Sequence, residues 1–207
     1  MKTLILSDTH GDHENIKIQD KFNLIIHSGD FTRNDIYKKE NFYNFIDWYA
    51  KQNGKYKILV AGNHDGFIEE NKKIAKDYMN KKEIIYLEDN FIDIEGIKFY
   101  GTPWTPEFLD WYFMLDEFEL IPKFNHINED TNVLITHGPP KGILDKNLQN
   151  IQCGSNALKN RIKELKNLKY CIFGHIHEGR GSLERNGVFY INASHRRDKE
   201  PIIINLD

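Results

Sequence analysis

The chain has 207 residues, a formal net charge of -3, 40% hydrophobic residues and 29% charged residues. That length fits one domain with a proper core, and that balance excludes a disordered chain. No global basic field points to nucleic acid or an anionic membrane. The two cysteines, Cys153 and Cys171, lack CxxC spacing and read as free thiols in a reducing compartment rather than as a disulfide. The apolar run after Met1 is too short for a signal peptide, and no stretch approaches a transmembrane helix. The cytoplasm is therefore the expected compartment, with no membrane partner.

In chain order, a short apolar run at 3–7 predicts a buried strand and leads into Asp8-Thr9-His10. A second strand at 23–28 runs into Gly29-Asp30. Residues 38–52 place Phe42, Phe45, Ile46 and Tyr49 at i, i+3, i+4 and i+7, which predicts a helix with one apolar face. A strand at 56–61 ends in Gly62-Asn63-His64-Asp65, and 67–81 reads as another helix. Segments 91–94 and 97–100 flank Glu95-Gly96 and predict a hairpin. The aromatic stretch 104–113 holds Pro106, follows directly on Pro103 and reads as an ordered loop. A strand at 132–136 ends at His137-Gly138, and a helix over 155–167 is capped by Ser155. A strand at 170–173 precedes Gly174-His175-Ile176-His177, and two more strands follow at 188–192 and 201–205. Strands alternating with helices, then hairpins, imply one α/β domain over 1–207, a mixed sheet with helices on its faces.

Each strong strand thus ends in residues that can hold metal or phosphate, where open α/β sheets build their sites. Taken singly, Asp-x-His, Gly-Asp or Gly-His-x-His is weak, and a turn or surface role explains each as well. As an ordered series they are specific. The words Ser7-Asp8-Thr9-His10-Gly11, Gly29-Asp30-Phe31-Thr32, Gly62-Asn63-His64-Asp65, Gly101-Thr102-Pro103-Trp104, Thr136-His137-Gly138-Pro139-Pro140 and Gly174-His175-Ile176-His177 resemble the calcineurin-like metallophosphoesterases. Within that superfamily they are similar to the small metallophosphoesterase-domain proteins of the fetal-brain type, which are related to class III cyclic-nucleotide phosphodiesterases.

That resemblance implies a four-layer α/β/β/α sandwich and a dinuclear metal centre. It implies that Asp8, His10 and His177 hold one ion, that Asn63, His137 and His175 hold the other, and that Asp30 bridges them. A bridging water or hydroxide would be the nucleophile. His64 would be the proton donor to the leaving oxygen, and Asp65 would orient its ring. Carboxylate, amide and imidazole donors suit Mn first, with Fe, Zn, Co or Ni as alternatives, better than Ca.

Other residues carry weaker expectations. Trp104 is the aromatic residue expected to line the pocket, the remaining rings of 104–113 being read as a satellite core. Arg180 could bind a phosphate oxygen. Arg33 and Asn34 are further phosphate candidates. Among the remaining histidines, His13 reads as a surface loop residue, His27 as a buried and hydrogen-bonded one, and His126 as a helix-end residue without a role. His195 reads equally as site-lining or as surface.

The expected function is a phosphodiesterase on small or cyclic-nucleotide-like diesters, with a fairly open pocket. A phosphomonoesterase, including one acting on phosphoprotein, shares the same metal core. An inactive binding scaffold would lack ligands or the acid His64, and all are present here. A nuclease would need a basic stripe, for which only the lysines and arginine at Lys141, Lys146, Lys159, Arg161 and Lys163 offer a patch. Relatives of this kind make a homodimer possible, although no segment declares an interface.

Overall fold

The computed structural model describes residues 1–33 and 38–207. Its elements run β1 (Lys2–Leu6), β2 (Phe22–His27), α1 (Lys38–Ala50), β3 (Gly54–Leu59), α2 (Gly66–Glu70), α3 (Lys72–Lys81), β4 (Ile85–Tyr86), β5 (Asn90–Ile94) and β6 (Ile97–Thr102). They continue with β7 (Thr105–Pro106), β8 (Met114–Leu115), α4 (Glu117–Asn125), β9 (Val133–Thr136), α5 (Asn156–Ile162), β10 (Tyr170–Phe173), β11 (Gly181–Arg185), β12 (Val188–Asn192) and β13 (Ile202–Asn205).

One sheet has the order β13-β1-β2-β3-β4, and the other has the order β11-β12-β10-β9-β6-β5. Inside the first sheet β1 to β4 pair in parallel, with β13 antiparallel at the edge. Inside the second, β12, β10, β9 and β6 pair in parallel, flanked by antiparallel β11 and β5. The central strands β1, β9 and β10 are buried on both faces, which is why they read as unbroken apolar runs.

Strand periodicity sorts those runs into three cores. Ile5, Ile58, Val60, Val133, Ile135 and Ile172 meet in the core between the two sheets. Leu4, Leu6, Leu59 and Ala61 turn the other way, onto Phe45, Ile46 and Tyr49 of α1 and Ala75 and Met79 of α3. Leu134, Cys171 and Phe173 turn onto Leu120 and Phe124 of α4 and Leu158 and Ile162 of α5. The layers are therefore helix, sheet, sheet, helix, the expected α/β/β/α sandwich. Both cysteines are free thiols. Among the described residues no helix is long and apolar enough to cross a membrane.

Several local expectations needed correction. The helix expected over 67–81 breaks at Asn71 (φ -129°), giving α2 and α3. The helix capped by Ser155, whose hydroxyl accepts from the Leu158 N–H, stops at Ile162. Helix α4 was not anticipated: Asp116 caps it, accepting from the N–H groups of Phe118 and Glu119, and Pro122 lies inside it. Strand β11 was also missed, although Asn186 (φ 55°) and Gly187 (φ 77°) form the left-handed turn typical of a two-residue hairpin. Asn34 falls outside the described residues.

Candidate metal centre

Parallel pairing carries the C-terminal ends of β1, β2 and β3 to one edge of the first sheet, and those of β9 and β10 to the matching edge of the second. The loops leaving these strands turn sharply. Asp8 (φ 52°), His10 (φ 43°), Asp30 (φ 57°) and His175 (φ 67°) all occupy the left-handed region, which non-glycine residues adopt at a cost of about 1–3 kcal/mol each. Strain held by a well-packed frame is a mark of functional sites. Gly174 lets its loop approach, since a Cβ there would run into the Asp8 carboxylate and Ser7; at Gly62 it would run into Asp30.

The loops bring Asp8, His10 and His177 together, and Asp30, His137 and His175 together, each set with one donor atom per residue and all within 4.8 Å of one another. Asp30 stands between the sets, its Oδ2 3.8 Å from His10 Nε2 and 3.3 Å from His137 Nε2. Asn63 joins the second set through Oδ1, 2.9 Å from His137 Nε2. His64 forms a third set with His10 and Asp30.

Backbone carbonyls fix the ring tautomers. His137 Nδ1 donates to the Ser28 carbonyl (3.0 Å) and His10 Nδ1 donates to the Thr32 carbonyl (3.2 Å). Each Nε2 is then aimed at acceptors: carboxylate and amide oxygens around His137, and Asp8, Asp30 and the His177 ring around His10. Acceptors and lone pairs converging on a common point need a cation or bound protons to hold them together. The donor set, mixed N and O with outer carbonyls orienting the imidazoles, fits divalent transition metals.

Electrostatics agree with this geometry. Burial opposes charge on His137, yet the carboxylate of Asp30 and its hydrogen bond raise the imidazole to about 9. Burial disfavours charge on Asp30 and Asp8, yet the surrounding imidazoles hold both carboxyls well below the usual range. By contrast, burial lowers His175 to about 4 and His27 to about 3. His27 is neutral by design: its Nδ1 accepts from the Gly29 N–H and its Nε2 donates to the Thr9 hydroxyl. It has the buried, hydrogen-bonded role expected of it.

Other placements differ from expectation. Asp65 makes no hydrogen bond to the His64 imidazole. It accepts from the N–H groups of Asp30 (2.8 Å), Gly62 (2.8 Å) and Thr32 (3.0 Å), so it ties the two ligand loops together. Burial, then Asp30, raises its carboxyl to about 7. Trp104 turns away from the cluster: its indole N–H donates to Asp89 Oδ2 (2.8 Å) and the Lys123 ammonium lies 4.1 Å over its ring. Trp111 packs on His64 instead, ring centroids 4.5 Å apart. Arg180 spends its guanidinium on the carbonyls of Ala193, Ser194 and Glu200. His13 is buried against Phe45 and Trp48 rather than exposed. His195 pairs with Asp12, and Arg33 donates to the His10 carbonyl.

Two supporting residues escaped the sequence reading. Ser194 donates its hydroxyl to Asp8 Oδ2 (3.0 Å), and Asn192 Oδ1 accepts from the Ser194 N–H (3.1 Å) while its amide donates to the Ile176 carbonyl (2.8 Å). Asn192 ends β12 and Ser194 follows it closely, so the strand-end rule that found the ligands would have found them too.

Comparison with known proteins matches this architecture. Metallophosphoesterase domain-containing protein 1 of Homo sapiens is 32% identical over 97% of this chain and 69% of its own length, and its Mus musculus counterpart gives the same figures. A UPF0046 protein of Caenorhabditis elegans is 32% identical over 94% of this chain and 69% of its own. Among solved structures, TT1561 of Thermus thermophilus superposes over 93% of this chain and 88% of its own with a TM-score of 0.66, at 14% identity, a likeness of fold alone. Residues 1–179 match the family model of the calcineurin-like phosphoesterases, and the chain belongs to that family.

Proposed function

We propose that residues 1–207 form one catalytic domain that hydrolyses small phosphodiesters with two divalent ions, manganese being the expected pair. The observation that carries this is the Asp30 carboxylate standing between two sets of imidazole and carboxylate donors. Asp8, His10 and His177 would hold the first ion and Asn63, His137 and His175 the second, with Asp30 placed to serve both. Such ions supply an acidified water and a positive clamp on the phosphoryl oxygens.

The chain's own residues do the rest. Water attacks phosphorus and gives up one proton to solvent, the bond to the leaving oxygen breaks, and His64 gives that oxygen a proton and regains one from solvent. His64 is suited to this by its position beside His10 and Asp30. Its N–H donates to Asp30 Oδ1 (2.8 Å) and its carbonyl accepts from the Thr32 hydroxyl (2.7 Å), while its Nδ1 has no partner among the described residues. The backbone is pinned, so the ring is held in place beside Asp30. Asp65 acts by locking the loops that carry Asp30 and Asn63.

The test is hydrolysis of bis-aryl and mono-aryl phosphate after chelation and refilling with Mn. The diester should be preferred, and His64→Ala should lower its turnover at least about 100-fold with both ions still bound. Loss of an ion from His64→Ala would make His64 a ligand rather than an acid. Preference for the monoester would make the chain a phosphomonoesterase.

A further inference from the structure

The loop joining β7 to β8 is bolted to the ligand loop at one point. The Tyr112 N–H donates to the carbonyl of Asn63 (3.3 Å), and the Tyr112 ring lies over Gly66, where any Cβ would collide with it. The Tyr112 hydroxyl bonds to Glu70 and Lys38, and the next residue, Phe113, is buried in the core. Further back, the Thr105 N–H donates to the Phe113 carbonyl and the Glu107 N–H to the Leu115 carbonyl, each at 3.0 Å. Trp111 therefore has little freedom to move.

Its indole lies against His64 and stays half-buried. Phe108 meets Trp111 edge-on, centroids 5.8 Å apart, and is 61% exposed. An exposed pair of rings fixed beside a polar cluster is costly to leave in water and offers a flat apolar face. Among the described residues the other ring recorded against His64 is His10, which meets it edge-on with centroids 4.9 Å apart.

The geometry points to Trp111, buttressed by Phe108, as a stacking platform for a planar aromatic leaving group. This rests on the reading that His64 protonates the leaving oxygen: whatever is attached to that oxygen must pass beside the ring that covers His64. Trp111 is then a specificity-determining residue, and the preferred substrates are phosphodiesters with an aryl or nucleobase-bearing alcohol on the His64 side. Selectivity is for planarity over apolar bulk, because an aromatic face stacks on a π-system and an alicyclic ring does not.

The experiment measures binding to the Mn-loaded protein by calorimetry, with benzyl(methyl)phosphinate as the phenyl probe and (cyclohexylmethyl)(methyl)phosphinate as the cyclohexyl probe, neither of which has an ester bond to hydrolyse. Both carry one negative charge and similar bulk, and differ in planarity. Trp111→Ala should lose about 10-fold in affinity for the phenyl probe and less than about 2-fold for the cyclohexyl probe, the scale of one stacking contact. Trp111→Phe should keep most of the phenyl preference, which guards against a folding artefact, and Phe108→Ala should lose a smaller part of it. Equal weakening for both probes, or no change for either, overturns the platform. Because binding is read directly, this result is separate from turnover: phenyl selectivity lost in Trp111→Ala alongside full activity in His64→Ala would keep an aromatic subsite but remove its leaving-group assignment.

Discussion

In the ligand cluster, His10 Nε2 and His177 Nε2 face each other at 3.4 Å, and Asp30 lies 3.3 Å from His137. In the aromatic loop beside it, the polar atoms of Trp104 and Tyr112 are paired with Asp89, Glu70 and Lys38. The cluster gathers groups that repel or strain one another and leaves them to be reconciled by cations. The loop gathers groups that satisfy one another and leaves one ring pair uncovered. The cluster spends stability on charge and left-handed backbone, as catalytic sites do. The loop supplies rigidity and shape. A substitution should therefore cost function in one region and fold in the other, unless it strikes a tie between them.

Asp65 is such a tie, and its loss gives the largest expected effect on stability. Asp65→Ala strands the N–H groups of Asp30, Gly62 and Thr32. Buried donors without partners should cost about 3 kcal/mol in denaturant unfolding of the metal-free protein. Unchanged stability with lost activity would instead support a direct role on the His64 ring. Trp104→Phe probes the aromatic loop in the same way. It removes one hydrogen bond to Asp89 and should cost about 1 kcal/mol, with the phenyl-over-cyclohexyl preference intact. A loss of that preference would move the platform from Trp111 to Trp104.

What was legible in the sequence follows the same division. Two-face burial makes β1, β9 and β10 continuous apolar runs, and the parallel sheets put the strand ends side by side, so the ligand candidates could be read from the few residues that follow a strand. Partners set by tertiary approach could not be read. Asp65 sits beside His64 in sequence, yet its carboxylate points to N–H groups of the Asp30 loop more than thirty residues away. Trp104 is nearest the strand end, yet Asp89 turns it aside, and Trp111 reaches His64 because Tyr112 anchors to Asn63. His13 carried no sign of burial, since its cover, Phe45 and Trp48, comes from α1. Helix α4 was hidden by Pro122 and by Phe118 and Ile121 facing solvent, which spoils the apolar stripe. Strand β11 was hidden because its residues are largely polar, although Asn186-Gly187 announced the turn.

A dinuclear centre built on Asp30 is best probed by calorimetric titration of the metal-free protein with Mn at pH 7, in two buffers of different ionisation enthalpy. His137 is raised to about 9, so it carries a proton at that pH and must release it to become a ligand. Two ions per chain are expected, with at least about one proton released and affinity that falls as pH drops from about 9 to 6. Asp30→Asn should weaken binding at least about 100-fold. Binding of a single ion, or of two with no proton released and no response to Asp30→Asn, would contradict such a centre.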